Sequence, residues 1–60
     1  MIRTILFKDG DWTTIRDRDS GWVVTHSGDD QPTTYSADTP IGVIMEAEAR
    51  ERPIELVKED

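Results

Sequence analysis

The residue types most able to do chemistry in this chain gather at His26, Ser27, Asp29 and Asp30, where a base, a hydroxyl and two carboxylates fall within five positions. Hydrolysis by such a set needs the base to take the hydroxyl proton directly. His26 and Ser27 are neighbours at the end of a strand-like run, and adjacent strand residues point to opposite faces, so the ring does not reach the Ser27 side chain. No glycine-framed nucleophile elbow surrounds Ser27 either. We therefore expect no catalytic residues and no enzymatic activity.

Two further sets suggest bound ions or ligands. Asp17-Arg18-Asp19-Ser20-Gly21 begins like a calcium loop, but its glycine stands at the fifth position instead of the sixth, and Gly28 occupies the twelfth, where a bidentate Glu belongs. Asp29, Asp30 and Asp38 have no spacing that requires a divalent ion. Without cysteine and with one histidine, no thiolate or paired-histidine site exists, so no metal and no cofactor is expected. Arg3, Arg16 and Trp12 form the third set. If the first two strands pair about a two-residue turn, Arg3 faces Arg16, and like charges directly opposite repel unless an anion intervenes. This is the alternative functional reading: an oligomer binding an anionic or nucleotide-like ligand.

The elements that must position these residues read clearly. Ile2 to Lys8 is a strand with apolar residues on both parities. Asp9-Gly10 is a strong hairpin signal, because type I′ turns need positive φ at both central positions. Read as the whole loop, it sets Phe7 against Trp12 and Ile5 against Thr14. The run from Trp12 to His26 is then two strands joined by Arg18-Asp19-Ser20-Gly21 or by a loop one residue longer. A one-residue slip there exchanges the faces of the third strand. In the shorter alternative Ile15 faces Val24, and in the longer one it faces Val23. Neither leaves one face wholly polar.

Ser27 to Pro32 is turn chemistry, and Thr33 to Ser36 is a brief fourth strand around Tyr35. Thr39 is the expected N-cap, with Pro40 at the first helical position. The helix runs to about Arg50 or Glu51 with Ile41, Ile44 and Met45 inward, and Pro53 ends it. Ile54 to Val57 is a last strand with Ile54 and Leu56 inward, followed by a loose tail. The expected fold is α+β: a small antiparallel sheet of four to five strands with one helix on one face, in the order βββ(β)αβ, as one domain over residues 1–60.

Sixty residues bury only about 60% of the unfolded chain's surface, and there are no disulfides to help. A helix of about 12 residues spans about 18 Å and covers one face of a sheet about 20 Å on each side. The other face would show Phe7, Trp12 and Ile5 with one of Val23 or Val24, more apolar surface than a soluble monomer usually exposes. Self-association through that face or an edge strand follows, most simply as a homodimer.

Charge adds a second partner. The chain carries a net charge of −6. Residues 1–18 hold four basic and three acidic groups, and residues 19–60 hold three basic and ten acidic, giving about +1 and −7. That field disfavours nucleic acid and anionic membrane and favours a basic protein surface. The expected function is a protein-interaction module whose acidic half meets a basic partner, as an inhibitor or nucleic-acid mimic, through Phe7, Trp12, Asp29, Asp30, Asp38 and Glu46. With no long apolar run and no signal-peptide core, the expected location is cytoplasmic.

Overall fold

The computed structural model describes residues 1–50 and 52–59. Five strands, β1 (Ile2–Phe7), β2 (Trp12–Arg18), β3 (Gly21–His26), β4 (Thr33–Tyr35) and β5 (Ile54–Glu59), form one antiparallel sheet in the order β4-β3-β2-β1-β5. A single helix, α1 (Ile41–Ala49), joins β4 to β5. The α+β architecture with one helix beside an antiparallel sheet is thus as the sequence implies, with all five strands present.

The first turn differs from expectation. Gly10 N–H donates to the Phe7 carbonyl at 3.0 Å and Phe7 N–H to the Asp11 carbonyl at 2.9 Å, so the loop is the three residues Lys8, Asp9 and Gly10. Gly10 is left-handed, at φ 96°. This is the type I turn with a glycine bulge, which uses the same Asp-Gly pair as the two-residue turn. The pairing shifts by one: Leu6 faces Trp12, Ile5 faces Thr13, and Arg3 faces Ile15. Arg3 and Arg16 therefore lie on opposite sides of the sheet, not opposite each other on one side.

The second turn takes the shorter alternative. Asp17 pairs with Trp22, Ile15 with Val24 and Arg18 with Gly21, leaving Asp19 and Ser20 at the tip. With both registers set, Ile5, Phe7, Ile15 and Val24 come together on one face and are fully buried, with Ile44 of α1 pressed into them. Trp22, Tyr35, Ile41 and Met45 pack around this centre. Ile5 and Phe7 are core residues, not part of the uncovered face.

Helix α1 starts one residue later than expected. The Pro40 carbonyl, not a Thr39 side chain, opens the hydrogen-bond ladder by accepting from Val43 and Ile44. The expected helix end at Glu51 lies outside the described residues, and Arg50 already has extended backbone. Among the contacts that hold the helix and its entrance, Trp22 Nε1–H donates to the Thr39 carbonyl at 3.0 Å, and an Arg3 guanidinium N–H donates to the Met45 sulfur at 3.1 Å. Beyond α1, Arg52 bonds Asp9 and Asp11 at 3.1 and 3.0 Å with its guanidinium 3.7 Å above the Phe7 ring. It clamps the β1–β2 turn to the α1–β5 connection.

Strand β5 is an edge strand and continues through Glu59, where a loose tail was expected. Leu56 faces Leu6 and Val57 faces Ile5, with a bulge between these pairs and Phe7–Ile54. Ile54, Leu56 and Val57 all remain exposed, so the inward placement expected for Ile54 and Leu56 does not occur. The physical reasons differ. The bulge separates the two residues, so that Leu56 joins Leu6 on the face away from α1 while Ile54 stays with Phe7 on the helix side. There nine helical residues span about 14 Å, less than the width of five strands at about 4.8 Å spacing.

Candidate functional site

Two arrangements stand out. The first is a polar chain between the helix and the sheet. Strand pairing puts Thr13 opposite His26, and the Thr13 hydroxyl lies 2.8 Å from His26 Nδ1. His26 Nε2 lies 2.8 Å from one Glu48 carboxylate oxygen, and the Tyr35 hydroxyl donates to the other at 2.6 Å. Because a carboxylate only accepts, Nε2 carries a proton; Nδ1 then accepts from Thr13 in the neutral ring and donates to it in the protonated one. Glu48 holds Tyr35 above the ordinary tyrosine value of 10.0, chiefly through this hydrogen bond, with burial and the carboxylate's charge adding to it.

Hydroxyl, imidazole and carboxylate in series resemble a hydrolytic set, but the geometry opposes that use. Thr13 is fully buried, so no substrate reaches its oxygen. Ser27 is also engaged: its hydroxyl accepts from the Trp12 N–H at 3.0 Å, and its own N–H donates to the Trp12 carbonyl at 2.9 Å. The chain is a fastener that ties α1 to β2, β3 and β4. Thr13 and Glu48 are the members that sequence reading missed, and only Glu48 left a signal. It stands seven residues after Ile41 and four after Ile44, on the inward stripe of α1, and a carboxylate on such a stripe needs partners.

The second arrangement is the sheet face away from α1. Cross-strand registers place its residues in rows. Leu56, Leu6 and Trp12 form one row, and Lys58, Thr4, Thr14 and Thr25 the next. Ile2, Arg16, Val23 and Thr34 follow, with Arg18 beyond them. Trp12 is 40% exposed and Leu56 49% exposed, and no element lies over them. These strand positions include three cations and not one carboxylate, in a chain with thirteen acidic residues. Thr14, Arg16, Arg18, Val23 and Thr25 line a shallow depression of ≈ 240 Å³ on this face.

The expected contact residues are scattered by the fold. Trp12 and Arg16 lie on the open face. Arg3 lies on the helix side against Met45, which separates it from the other two. Phe7 is buried at 1% exposure, removed from any partner by the one-residue shift of the first turn. Asp29 and Asp30 are exposed in the β3–β4 loop, Asp38 in the β4–α1 connection, and Glu46 on the outer side of α1. Among the described residues no group of three or more His, Cys, Asp or Glu converges to hold a metal ion. No helix among them is long and apolar enough to cross a membrane.

The fold and these two arrangements define a small α+β domain with one fastened layer and one bare sheet face. No family model matches the chain, and no curated protein or solved structure matches it.

Proposed function

We propose that the chain is a non-enzymatic protein-interaction module whose open sheet face is its contact surface, with a second copy as the first partner. The observation that supports this reading is the apolar row Leu56, Leu6 and Trp12, with Ile2 and Val23 two rows further along the strands, on a face that no described element covers. The face measures about 20 Å by 20 Å, and an interface of that size falls toward the low end of specific complexes, so the dimer forms and dissociates with concentration. Pairing the copies face to face leaves the helix sides outward. The exposed Glu46 on α1, with Asp29, Asp30 and Asp38 in the loops on either side of β4, is then free to meet a basic protein, the second step of the same reading.

Trp12→Lys and Val57→Lys separate the two ways of self-association. Both side chains are exposed, but Val57 points to the helix side of the edge strand. Loss of the dimer in Trp12→Lys alone supports face pairing. Loss in Val57→Lys alone moves the contact to the β5 edge and overturns it. For the second step, binding to basic proteins is titrated across a salt series; affinity that ignores salt would sink the electrostatic part.

A further inference from the structure

We propose that Arg16 and Arg18, with Thr14 and Thr25, form a binding site for a phosphate-class oxyanion at one end of the open face. Arg16 and Arg18 stand two apart on β2, so both side chains leave the same side of the sheet, about 7 Å apart at the backbone. Neither guanidinium has a hydrogen bond or ion pair among the described residues, although the chain has an excess of carboxylates. The neighbouring acids do not serve them. Asp17 points to the opposite face and takes a 2.7 Å bond from the Met1 amino group, and Asp19 sits in the turn with no ion pair among the described residues.

Two guanidinium forks and two hydroxyls around one depression match a tetrahedral dianion better than a carboxylate. A phosphate offers more than two acceptor oxygens and about two negative charges, enough for both arginines. The depression, ≈ 240 Å³ and open, is smaller than the ~300–1,000 Å³ pockets of drug-sized ligands, which favours a small phosphate or phosphate ester. Val23 supplies the one apolar wall, against which an organic group could lie. The site stands on the unpaired arginines and not on the dimer.

The test titrates inorganic phosphate, a nucleoside monophosphate and acetate into the intact chain at matched ionic strength, following the amide signals of Thr14, Val23 and Thr25 and the arginine side-chain N–H signals by NMR. Saturable shifts with phosphate or its ester at millimolar concentration, and none with acetate, are expected. Tighter binding of the ester with a larger Val23 shift identifies an organic phosphate as the ligand; equal binding identifies the free ion. Arg16→Gln and Arg18→Gln should each weaken binding about tenfold or more, while Arg50→Gln on the far side leaves it unchanged. No shift with either phosphate, an equal response to acetate, or an equal loss in Arg50→Gln would overturn the site. Mass measured in the same samples keeps the two readings apart: the titration is judged at dilutions where the mass is 6.8 kDa and no second copy covers the face, so phosphate binding there leaves the site standing whether or not the chain pairs at higher concentration.

Discussion

Replacing Glu48 by alanine removes the one group that holds α1 to three strands at once, through His26 on β3, Tyr35 on β4 and, by way of the imidazole, Thr13 on β2. Hydrogen bonds to a charged group contribute about 1.5–3 kcal/mol each, so two of them total about 3–6 kcal/mol. Water recovers part of that, because His26 is 27% exposed while Glu48 is only 11% exposed. A net loss of about 2–3 kcal/mol is expected, against a whole-domain stability of about 3–5 kcal/mol for a core of this size. In thermal unfolding followed by circular dichroism the midpoint should fall by about 10–20 °C. Glu48→Gln should lose roughly half as much, since its amide accepts from Tyr35 and donates to Nε2 in the other ring tautomer. The same pair carries a pH signature. Tyr35 titrates above 10.0 in the folded chain, so its contribution is fully present below that value and is lost as pH rises through the raised one. In Glu48→Ala the Tyr35 phenolate absorbance should appear nearer pH 10.0. A loss under about 0.5 kcal/mol with an unmoved Tyr35 titration would refute the fastener.

Three further outcomes follow from the packing. Ile44→Ala, at the only buried helix position, should cost about 2–5 kcal/mol, a large share of the about 3–5 kcal/mol available, and lower the thermal midpoint by at least about 10 °C by circular dichroism. Gly21→Ala should cost well over the ~1 kcal/mol expected of Gly10→Ala in urea titrations: both are left-handed, but a Cβ at Gly21 strikes the Tyr35 carbonyl, whereas at Gly10 it meets open space. Asp9 titrates below 3.8, first because the Asp11 N–H bonds its carboxylate and then because of Arg52, so Arg52→Ala should raise its NMR midpoint only partway. Its contribution to stability is present above 3.8 and is lost as pH falls through the lowered value.

The order of strands and helix was legible because each rests on local chemistry: β-branched runs, turn residues and Pro40 at the helix entrance. The faces were harder. Asp9-Gly10 is compatible with a two-residue and a three-residue loop, and local preference does not choose between them. What chooses is burial, since only the longer loop places Ile5 and Phe7 beside Ile15 and under Ile44. That single residue moved Phe7 into the core and parted Arg3 from Arg16. The short Asp19-Ser20 tip was narrowed to two registers for the same reason. Glu48 was hidden because its partners, His26 and Tyr35, are 22 and 13 residues away and meet it only after α1 folds back. The run of paired open-face positions without a carboxylate was hidden too, because it alternates along strands that meet only in the sheet, while charge summed along the sequence showed only an acidic second half.

The most direct test of the open face as a contact surface is the solution mass by sedimentation equilibrium over a wide concentration range. The wild-type chain of 6.8 kDa should approach twice that mass as concentration rises, and Trp12→Lys should stay at 6.8 kDa throughout. A wild type that remains at 6.8 kDa at every concentration, or a Trp12→Lys variant that still doubles, would contradict the account.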